Sequence, residues 1–471
     1  MPNQQHFRTG LITFSIPILL ASLSTSIVNI SIPTLVSSFQ QSLNGVQWVI
    51  VVYLISMMSS SVIIGQYLDQ HDRRQILMGG IVLFMLSALC CALAPSIGWL
   101  IFYRALQGIA AAMMLSSAML LFISYQADPN SAQAMGWIGS LSAVGTALGP
   151  TLGGALIGFA GWPAIFWINI PIGIAALILI FRLPHSTTSP ASPKVVPPKK
   201  TVDWLAMLLL SLSLITYGLG FSLDRPLNII FLICSALCGY GFYRMQRRSL
   251  QPMIPLNLLS RGSVSAGLLI NSLMATAMMA TLIIGPFYLS LVLQFPPAKM
   301  GLVMSVGPLL AASLGVPAAR WVDHFGVKTI RTFALSCSAL GFSLFVLLAQ
   351  QLTLWSYILL MVFVTIGYAL FQTANNTALI LMLEPKRKGL MTGLLNLSRN
   401  IGLINGTVLM SSIFAYSTGR QNLASFSESS TASVIHGFSW CFSITALLMG
   451  ISLLISLKLK SDPPSQQTSS I

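Results

Sequence analysis

Charged residues are scarce in this chain. Asp, Glu, Lys and Arg make up 7% of the 471 residues, whereas 55% are hydrophobic. A soluble domain averages about 25% charged residues. A globule of this size would not stay in solution with so few charges, so the composition indicates an integral membrane protein. The first apolar run is too long for a secretory signal peptide and lacks a small-residue cleavage site, so we interpret it as a spanning helix.

Motifs for phosphate or metal chemistry are also missing. No lysine follows a glycine, so there is no G-x-x-x-x-G-K-[ST] loop, and there is no H-E-x-x-H. These absences disfavour an ATP-driven pump and a metalloenzyme. The six cysteines lie in apolar runs without a metal-binding spacing, which favours buried, inert thiols. The sequence therefore predicts no enzyme activity, no metal and no cofactor.

What the chain has instead is a series of long apolar runs. A helix needs about 20 apolar residues to cross a bilayer. The runs are continuous rather than alternating, which favours helices over a barrel. We therefore predict an all-α integral membrane protein. Its fourteen predicted spans are 11–33, 47–67, 77–94, 99–124, 134–159, 165–183, 203–222, 227–244, 263–288, 300–318, 330–349, 354–382, 390–415 and 434–457.

The basic residues indicate the orientation of these spans. If the N-terminus lies inside and the spans alternate, nineteen of the 24 Lys and Arg residues fall on the inner side and three on the outer side. The other two, Arg104 and Arg399, fall within spans. This asymmetry follows the positive-inside rule and predicts that both termini are cytoplasmic. It also accounts for the net charge of +15 without nucleic-acid binding.

A polar linker rich in Pro, Ser and Lys divides the chain after six spans. Two further spans and a basic loop separate it from the last six. The predicted division is an N-terminal six-helix bundle (1–183), a cytoplasmic linker (184–202), two inserted helices (203–244), a cytoplasmic basic loop (245–262), a C-terminal six-helix bundle (263–457) and a cytoplasmic tail (458–471).

Two cytoplasmic loops echo each other. GQYLDQHDRR (65–74) and ARWVDHFGVK (319–328) each follow an apolar span at matching places in the two six-span halves. This suggests a duplication, which is common in secondary transporters. Charge pairs in such loops can hold helices in one transport state, although an ordinary loop with topology-setting arginines is the alternative. The candidate gating residues are Asp69, Arg73, Arg74, Asp323 and Lys328.

Four stretches together resemble one family. They are GQYLDQHDRRQIL (65–77), YRALQGIAAAMM (103–114), GTALGPTLGG (145–154) and LSTSIVNISIP (23–33). They are similar to the loop motif, the R-x-x-Q-G motif, the G-x-x-x-G-P-x-x-G-G antiporter motif and the span 1 signature of the major facilitator superfamily. The closest resemblance is to its fourteen-span drug:proton antiporters. The match implies a monomeric multidrug exporter in the bacterial inner membrane that works by alternating access, with protons as a candidate second partner.

The antiporter motif also has a physical interpretation. Glycines four residues apart allow close helix approach, and proline removes a backbone donor. The resemblance implies a central packing element, and plain tight packing without a gating role is the alternative. The candidate packing residues are Gly145, Gly149, Pro150, Gly153 and Gly154.

Polar residues inside spans indicate a transport path. A charged group at membrane depth usually faces a cavity or a partner, although Arg104 and Arg399 could also snorkel to an interface. Hydrogen bonding between helices is the alternative for the amides. The candidate substrate-cavity residues are Asn29, Arg104, Gln107, Gln372, Asn375, Asn376 and Arg399.

None of the nine acidic residues is central in a predicted span, and Ser24 stands where the resembled span 1 signature has an aspartate. A serine hydroxyl does not titrate usefully. We therefore expect weak or absent proton coupling, with either anionic or zwitterionic substrates that neutralise the arginines, or neutral substrates. The alternatives are an uncoupled facilitator or exchanger and a non-transporting membrane sensor or scaffold. The predicted partners are a small-molecule substrate and the lipid bilayer.

Overall fold

Helices form all the regular structure in the part of the chain that is described. A computed structural model describes residues 2–68, 71–124, 132–182, 204–223, 226–249, 256–382, 388–418 and 431–459. Because the bilayer interior offers no water, backbone groups must be satisfied within each segment, which helices achieve.

Eleven helices precede residue 250 in the described ranges. They are α1 (Pro2–Ile27), α2 (Ile32–Phe39), α3 (Leu43–Val46), α4 (Trp48–Leu68), α5 (Arg73–Ala92), α6 (Ile97–Ser124), α7 (Ala132–Ala160), α8 (Ala164–Trp167), α9 (Asn169–Arg182), α10 (Trp204–Ser222) and α11 (Leu227–Arg248). A 3-10 turn, Asn29–Ser31, joins α1 to α2.

Seven helices follow. They are α12 (Leu256–Leu259), α13 (Gly262–Phe287), α14 (Pro297–Phe325), α15 (Val327–Leu347), α16 (Leu354–Leu381), α17 (Lys388–Ser417) and α18 (Thr431–Lys458). A π-helical turn, Tyr288–Val292, extends α13.

Twelve segments among the described residues are long and apolar enough to cross a membrane. A helix lies at each of the fourteen predicted positions, but the count of fourteen spans is not confirmed. In α7 the apolar part is the shorter segment Val144–Ala160, so this helix is not among the twelve. Helix α17 is 30 residues long, yet it carries several amides and Arg399 and is not among the twelve.

The first span is longer than predicted. We expected it to end at Pro33, but this proline lies in the first turn of α2, where its missing N–H would have no helical partner. The apolar segment therefore continues to Phe39. Gln40, in the left-handed conformation, ends it.

Local signals account for several other helix ends. The Asp72 side chain accepts a hydrogen bond from the Arg74 backbone and so caps the start of α5. A capping box between Thr353 and Ser356 begins α16. Gly326 separates α14 from α15. Its φ of 82° would strain any residue with a Cβ, so glycine is favoured at this position.

The described contacts divide the chain into two units. Of the described residues, unit 1 comprises those within 2–249 and 295–308, and unit 2 comprises those within 256–294, 309–418 and 431–459. The start of α14 thus belongs to unit 1 and its remainder to unit 2. Helices α10 and α11 belong to unit 1.

The same helix pairings occur within each unit. In unit 1, α1 packs on α7 and α9, and α5 packs on α6 and α9. In unit 2, α13 packs on α17 and α18, and α15 packs on α16 and α18. Counting only the spanning helices of each six-span half, the first packs on the fifth and sixth, and the third packs on the fourth and sixth. A repeated packing order is what a duplicated six-helix unit produces.

Helix α10 is attached to α4 by hydroxyl and amide hydrogen bonds. The Oγ atoms of Ser59 and Ser211 lie 2.5 Å apart. Gln47 Nε2 and Trp48 Nε1 both donate to Ser222 Oγ, at 3.0 and 3.2 Å. Helix α11 packs on α10 in turn. The inserted pair is therefore joined to unit 1 through α10.

This attachment predicts a cross-link. In a Ser59→Cys/Ser211→Cys variant the two thiols should form a disulfide in the membrane on mild oxidation, because the native hydroxyls are in contact. Mobility on a denaturing gel after cleavage of an engineered site in the linker measures this. The pair Ser59→Cys/Ser235→Cys is the matched control, since Ser235 bonds Ser213 on α10 instead. Equal cross-linking of both pairs would contradict the contact.

Candidate functional site

Glycines of the antiporter motif line the contact of α7 with α1. A Cβ added to Gly145 would lie 2.7 Å from the Leu19 carbonyl oxygen, and one added to Gly149 would lie 2.9 Å from the Ile27 nitrogen. A Cβ added to Gly153 would lie 2.6 Å from Cγ2 of Ile30, in the 3-10 turn after α1, and 3.1 Å from the Ile27 carbonyl oxygen. Real Cβ atoms do not approach backbone atoms this closely. Only glycine at these spacings permits the observed separation of the two helices.

The end of the motif contacts the start of α14. A Cβ on Gly154 would lie 2.7 Å from the Gly301 Cα, so the two backbones touch. The hydroxyls of Thr151 and Ser305 hydrogen bond beside them. Pro150, inside α7, lies in the same stretch and leaves one helical carbonyl without its usual donor. The predicted packing residues therefore meet two different helices of unit 1.

Arg104 is fully buried between α1, α4 and α6, with none of its side chain exposed. Its Nε donates to the Val49 carbonyl at 3.0 Å. Its Nη1 donates to Ser24 Oγ at 3.2 Å and to Gln107 Oε1 at 2.7 Å. The Tyr53 ring lies beneath the guanidinium, 4.0 Å from the Arg104 Cζ. The side chain therefore does not snorkel to an interface.

These contacts leave the charge of Arg104 without a carboxylate. All acceptors are neutral, and Nη2 is buried without a protein acceptor. The carboxylates among the described residues are Asp72, which caps α5, and Asp323, which is exposed near the end of α14. Burying an ion without a partner costs several kcal/mol. The cation–π contact with Tyr53 offsets part of this, about 2 kcal/mol when desolvated.

Ser24 is the position where the resembled span 1 signature has an aspartate. Its hydroxyl is fully buried and accepts from Arg104. A carboxylate at residue 24 would therefore meet the guanidinium directly. The sequence singled out both residues, but their contact follows only from the packing of α1 against α6.

The other predicted cavity residues of unit 1 are also buried. Asn29 lies in the 3-10 turn after α1, and its Oδ1 has no protein donor. Gln107 lies one helical turn after Arg104, and its Nε2 has no protein acceptor. Both side chains retain hydrogen-bonding capacity that this chain does not use.

In unit 2 the predicted cavity residues lie on α16 and α17. Asn375 is buried and donates to the Gly267 carbonyl at 3.3 Å, while Gln372 is half-buried and donates to the Tyr368 hydroxyl at 3.2 Å. Asn376 and Arg399 are half-buried, and each has a buried polar atom without a partner. Hydrogen bonding between helices thus accounts for Asn375, while the other three keep exposed surface.

Asn271 on α13 also belongs to this polar region. It donates to the Leu395 carbonyl at 3.0 Å and to Ser398 Oγ at 2.6 Å, on the turn before Arg399. Its amide therefore joins α13 to α17. The signal for it was an amide within an otherwise apolar span, the same signal that indicated Asn375.

The predicted gate of the first half is described in part. Asp69 lies outside the described residues. Arg74 is buried, and its Nη2 donates to the Ile180 carbonyl at 2.7 Å, in the last turn of α9. A cation at a helix C-terminus is favourable. Arg73 lies beside it at the start of α5 and is half-buried.

In the second half Arg331, rather than Lys328, makes the corresponding contact. Asp323 and Lys328 are both exposed. Arg331 is buried at the start of α15, and its Nε donates to Ser456 Oγ at 2.9 Å, near the end of α18. Each unit therefore has a buried arginine that joins the start of its third helix to the end of its sixth. Alignment of the two loops on their aspartates pairs Arg74 with Lys328, which lies one helical turn before Arg331. The sequence comparison therefore missed Arg331.

Comparison with known proteins identifies the family. The sequence profile of the Major Facilitator Superfamily matches residues 14–407 and 267–470. The chain belongs to the major facilitator superfamily. This membership, together with transporter structural neighbours, indicates a transporter rather than an enzyme.

Curated relatives of this major facilitator superfamily transporter are named for different functions. The riboflavin transporter RibZ of Clostridioides difficile is 26% identical over 96% of this chain and 98% of its own length. The multidrug efflux pump LfrA of Mycolicibacterium smegmatis is 25% identical over 86% of this chain and 80% of its own length. The methylenomycin A resistance protein of Bacillus subtilis is 28% identical over 85% of this chain and 86% of its own length.

Solved structures show the same fold. A bacterial homolog of the human lysosomal transporter Spinster, in an inward-facing and occupied conformation, superposes with a TM-score of 0.68. It is 13% identical and covers 95% of both chains. At this identity the likeness establishes the fold of a major facilitator superfamily transporter and not its substrate.

The α1–α7 contact predicts that Gly149 does not tolerate a methyl group. Gly149→Ala should lower the thermal unfolding midpoint of the purified protein, because overpacking costs roughly 1–3 kcal/mol. Gly158→Ala on the same helix is the matched control, since its Cβ would lie 3.6 Å from the nearest atom, an ordinary contact. Equal midpoints for the two variants would show that the contact is looser than described.

Proposed function

We propose that this protein is a secondary active exporter of small amphipathic or hydrophobic compounds that works by alternating access. The observation that carries this proposal is the antiporter motif of α7, all of whose glycines make close helix contacts. The relatives that include a multidrug efflux pump and an antibiotic resistance protein support export. The repeated packing order of the two units supports alternating access.

The charge at Arg104 supports a preference for anionic or neutral substrates. A buried guanidinium without a described carboxylate gives unit 1 a positive interior. Arg399 adds a half-buried cation in unit 2. A cationic substrate would meet repulsion, whereas an anion would gain from the same field. Arg104 acts through this field, because its side chain has no exposed surface.

Ser24 supports weak or absent proton coupling. A proton-driven exporter needs a buried group that titrates near working pH, and a serine hydroxyl does not. The second candidate is therefore a facilitator or exchanger without proton coupling, favoured by the contact of Ser24 with Arg104. A sensor or scaffold would bind ligand without flux.

We also propose that the protein lies in a bacterial inner membrane with both termini in the cytoplasm. The asymmetry of the basic residues and the bacterial relatives support this.

We propose that Arg74 and Arg331, which join the third and sixth spanning helices of each half, keep each bundle rigid during transport. The loop residues are proposed to change partners meanwhile; they are Asp69, Arg73, Asp323 and Lys328.

The preference for anions predicts a difference between two dyes with the same aromatic core. In proteoliposomes, fluorescein should be transported several-fold faster than a cationic rhodamine ester. Arg104→Gln should reduce this ratio toward one, because the substitution removes the positive field but keeps hydrogen-bonding capacity. Stopped-flow dye flux measures both rates.

Arg320→Gln, at an exposed position, is the control for a general change in charge. Faster transport of the rhodamine by the unmodified protein, with anion flux unaffected by Arg104→Gln, would refute the preference. Saturable dye binding without flux would favour the sensor.

Position 24 should determine proton coupling. The unmodified protein is expected to show no substrate-driven proton movement in liposomes containing a trapped pH dye. Ser24→Asp should introduce such movement, because a buried carboxyl at this position would be ionised while it contacts Arg104 and could take up a proton in a transport state in which that contact is broken.

Ser24→Asn has a similar size and no titratable group, and it should remain uncoupled. Proton movement in the unmodified protein equal to that of Ser24→Asp would contradict the role assigned to this position.

A further inference from the structure

Two neighbouring donor nitrogen atoms, Arg104 Nη2 and Gln107 Nε2, have no protein acceptor. A guanidinium has five N–H groups, and those of Nη2 are buried without a protein acceptor. The Nε2 amide of Gln107, one helical turn along α6, is also buried without an acceptor. Neither side chain has any exposed surface. Unsatisfied donors at this depth are rare, because each costs several kcal/mol in an apolar environment.

The orientation of the Gln107 amide follows from its contact with Arg104. Gln107 Oε1 lies 2.7 Å from Arg104 Nη1. A guanidinium has no acceptor, so the amide must present its oxygen to it and its Nε2 elsewhere. Nε2 and Nη2 each share a carbon atom with one member of this hydrogen bond. The two free donors therefore lie within a few ångströms of the same contact.

The site has a net positive charge as well as free donors. The three acceptors around Arg104 are a backbone carbonyl, a hydroxyl and an amide, all of them neutral. A water molecule could satisfy a donor but would not balance the charge. An anion would do both, and charge-assisted hydrogen bonds are stronger than neutral ones.

The packing around the site favours a small anion. A Cβ on Gly108 would lie 2.5 Å from the Tyr53 carbonyl oxygen, so α6 and α4 are in backbone contact beside Arg104. Tyr53 covers the face of the guanidinium. A substrate carboxylate would have to carry its organic body into this contact, whereas a halide ion has none.

We propose that a monovalent halide, chloride under physiological conditions, binds beside Arg104 and accepts hydrogen bonds from Arg104 Nη2 and Gln107 Nε2. The ion serves as the counterion that a carboxylate at residue 24 would supply. While bound, the halide would screen the positive field of Arg104, so an anionic substrate would gain from that field only after the halide has left. The site itself concerns the charge balance of unit 1 and stands whether or not the protein exports anionic compounds.

Thermal unfolding of the purified full-length protein in detergent tests the proposal. Unfolding midpoints are compared in sodium chloride, sodium gluconate and sodium acetate at equal ionic strength, by intrinsic tryptophan fluorescence. Chloride at about ten times its Kd should raise the midpoint by about 2 °C over gluconate, because it binds the folded state alone. Acetate, which has the charge of a substrate carboxylate, should have a smaller effect.

Two variants remove the need for the ion in different ways. Arg104→Gln removes the cation, and Ser24→Asp supplies a carboxylate beside it, so both should lose the difference between chloride and gluconate. Arg320→Gln removes an exposed cation and should keep it. Crystals grown with bromide should show an anomalous peak within hydrogen-bonding distance of Arg104, which locates the ion even where a variant does not fold.

Loss of the chloride effect in Arg104→Gln and Ser24→Asp, with its retention in Arg320→Gln, would support the site. No chloride effect in the unmodified protein, an undiminished effect in Arg104→Gln, or stabilisation by acetate but not chloride would each overturn it. A bromide peak away from Arg104 would overturn it as well.

Discussion

The close contact of α1 with α7 is the constraint on which the rest of unit 1 depends. Glycines at 145, 149 and 153 let the two backbones approach without side chains between them. Between helices in a bilayer, such packing replaces the hydrophobic driving force that lipid cannot provide. Because α1 is held in this way, Ser24 is buried against α6 and meets Arg104. The glycine motif of α7 therefore affects the surroundings of Arg104 as well as the packing of two helices.

Arg104 shows how a membrane protein can tolerate an ion. Three neutral acceptors and an aromatic face share its stabilisation, and two donors nearby have no protein partner. In a typical ion pair the counterion is part of the chain. Here a hydroxyl occupies that position, so the described residues supply no carboxylate to balance the guanidinium. The proposals on proton coupling and on substrate charge thus both rest on the contact of Ser24 with Arg104.

Some parts of the site were predictable from the sequence and others were not. The rarity of charge in apolar runs singled out Arg104 and Arg399, and local spacing singled out the glycines of α7. The role of Arg331 was missed, because the loop echo was aligned on Asp69 and Asp323 whereas the contact depends on which side of α15 faces α18. The extent of the first span was also misjudged at Pro33, since proline is compatible with the first turn of a helix as well as with its end.

The sequence by itself determined that this is an integral membrane protein. Hydropathy and the distribution of charge are properties of the linear sequence, and membrane insertion depends on them directly. It also determined the family, through motifs whose residues are close along the chain. Only the tertiary structure decided which polar residues meet. Ser24 and Arg104 are 80 residues apart along the chain. The packing of α1, α4 and α6 brings their side chains into contact. Such contacts depend on helix rotation and separation, which small residues far away in the sequence control.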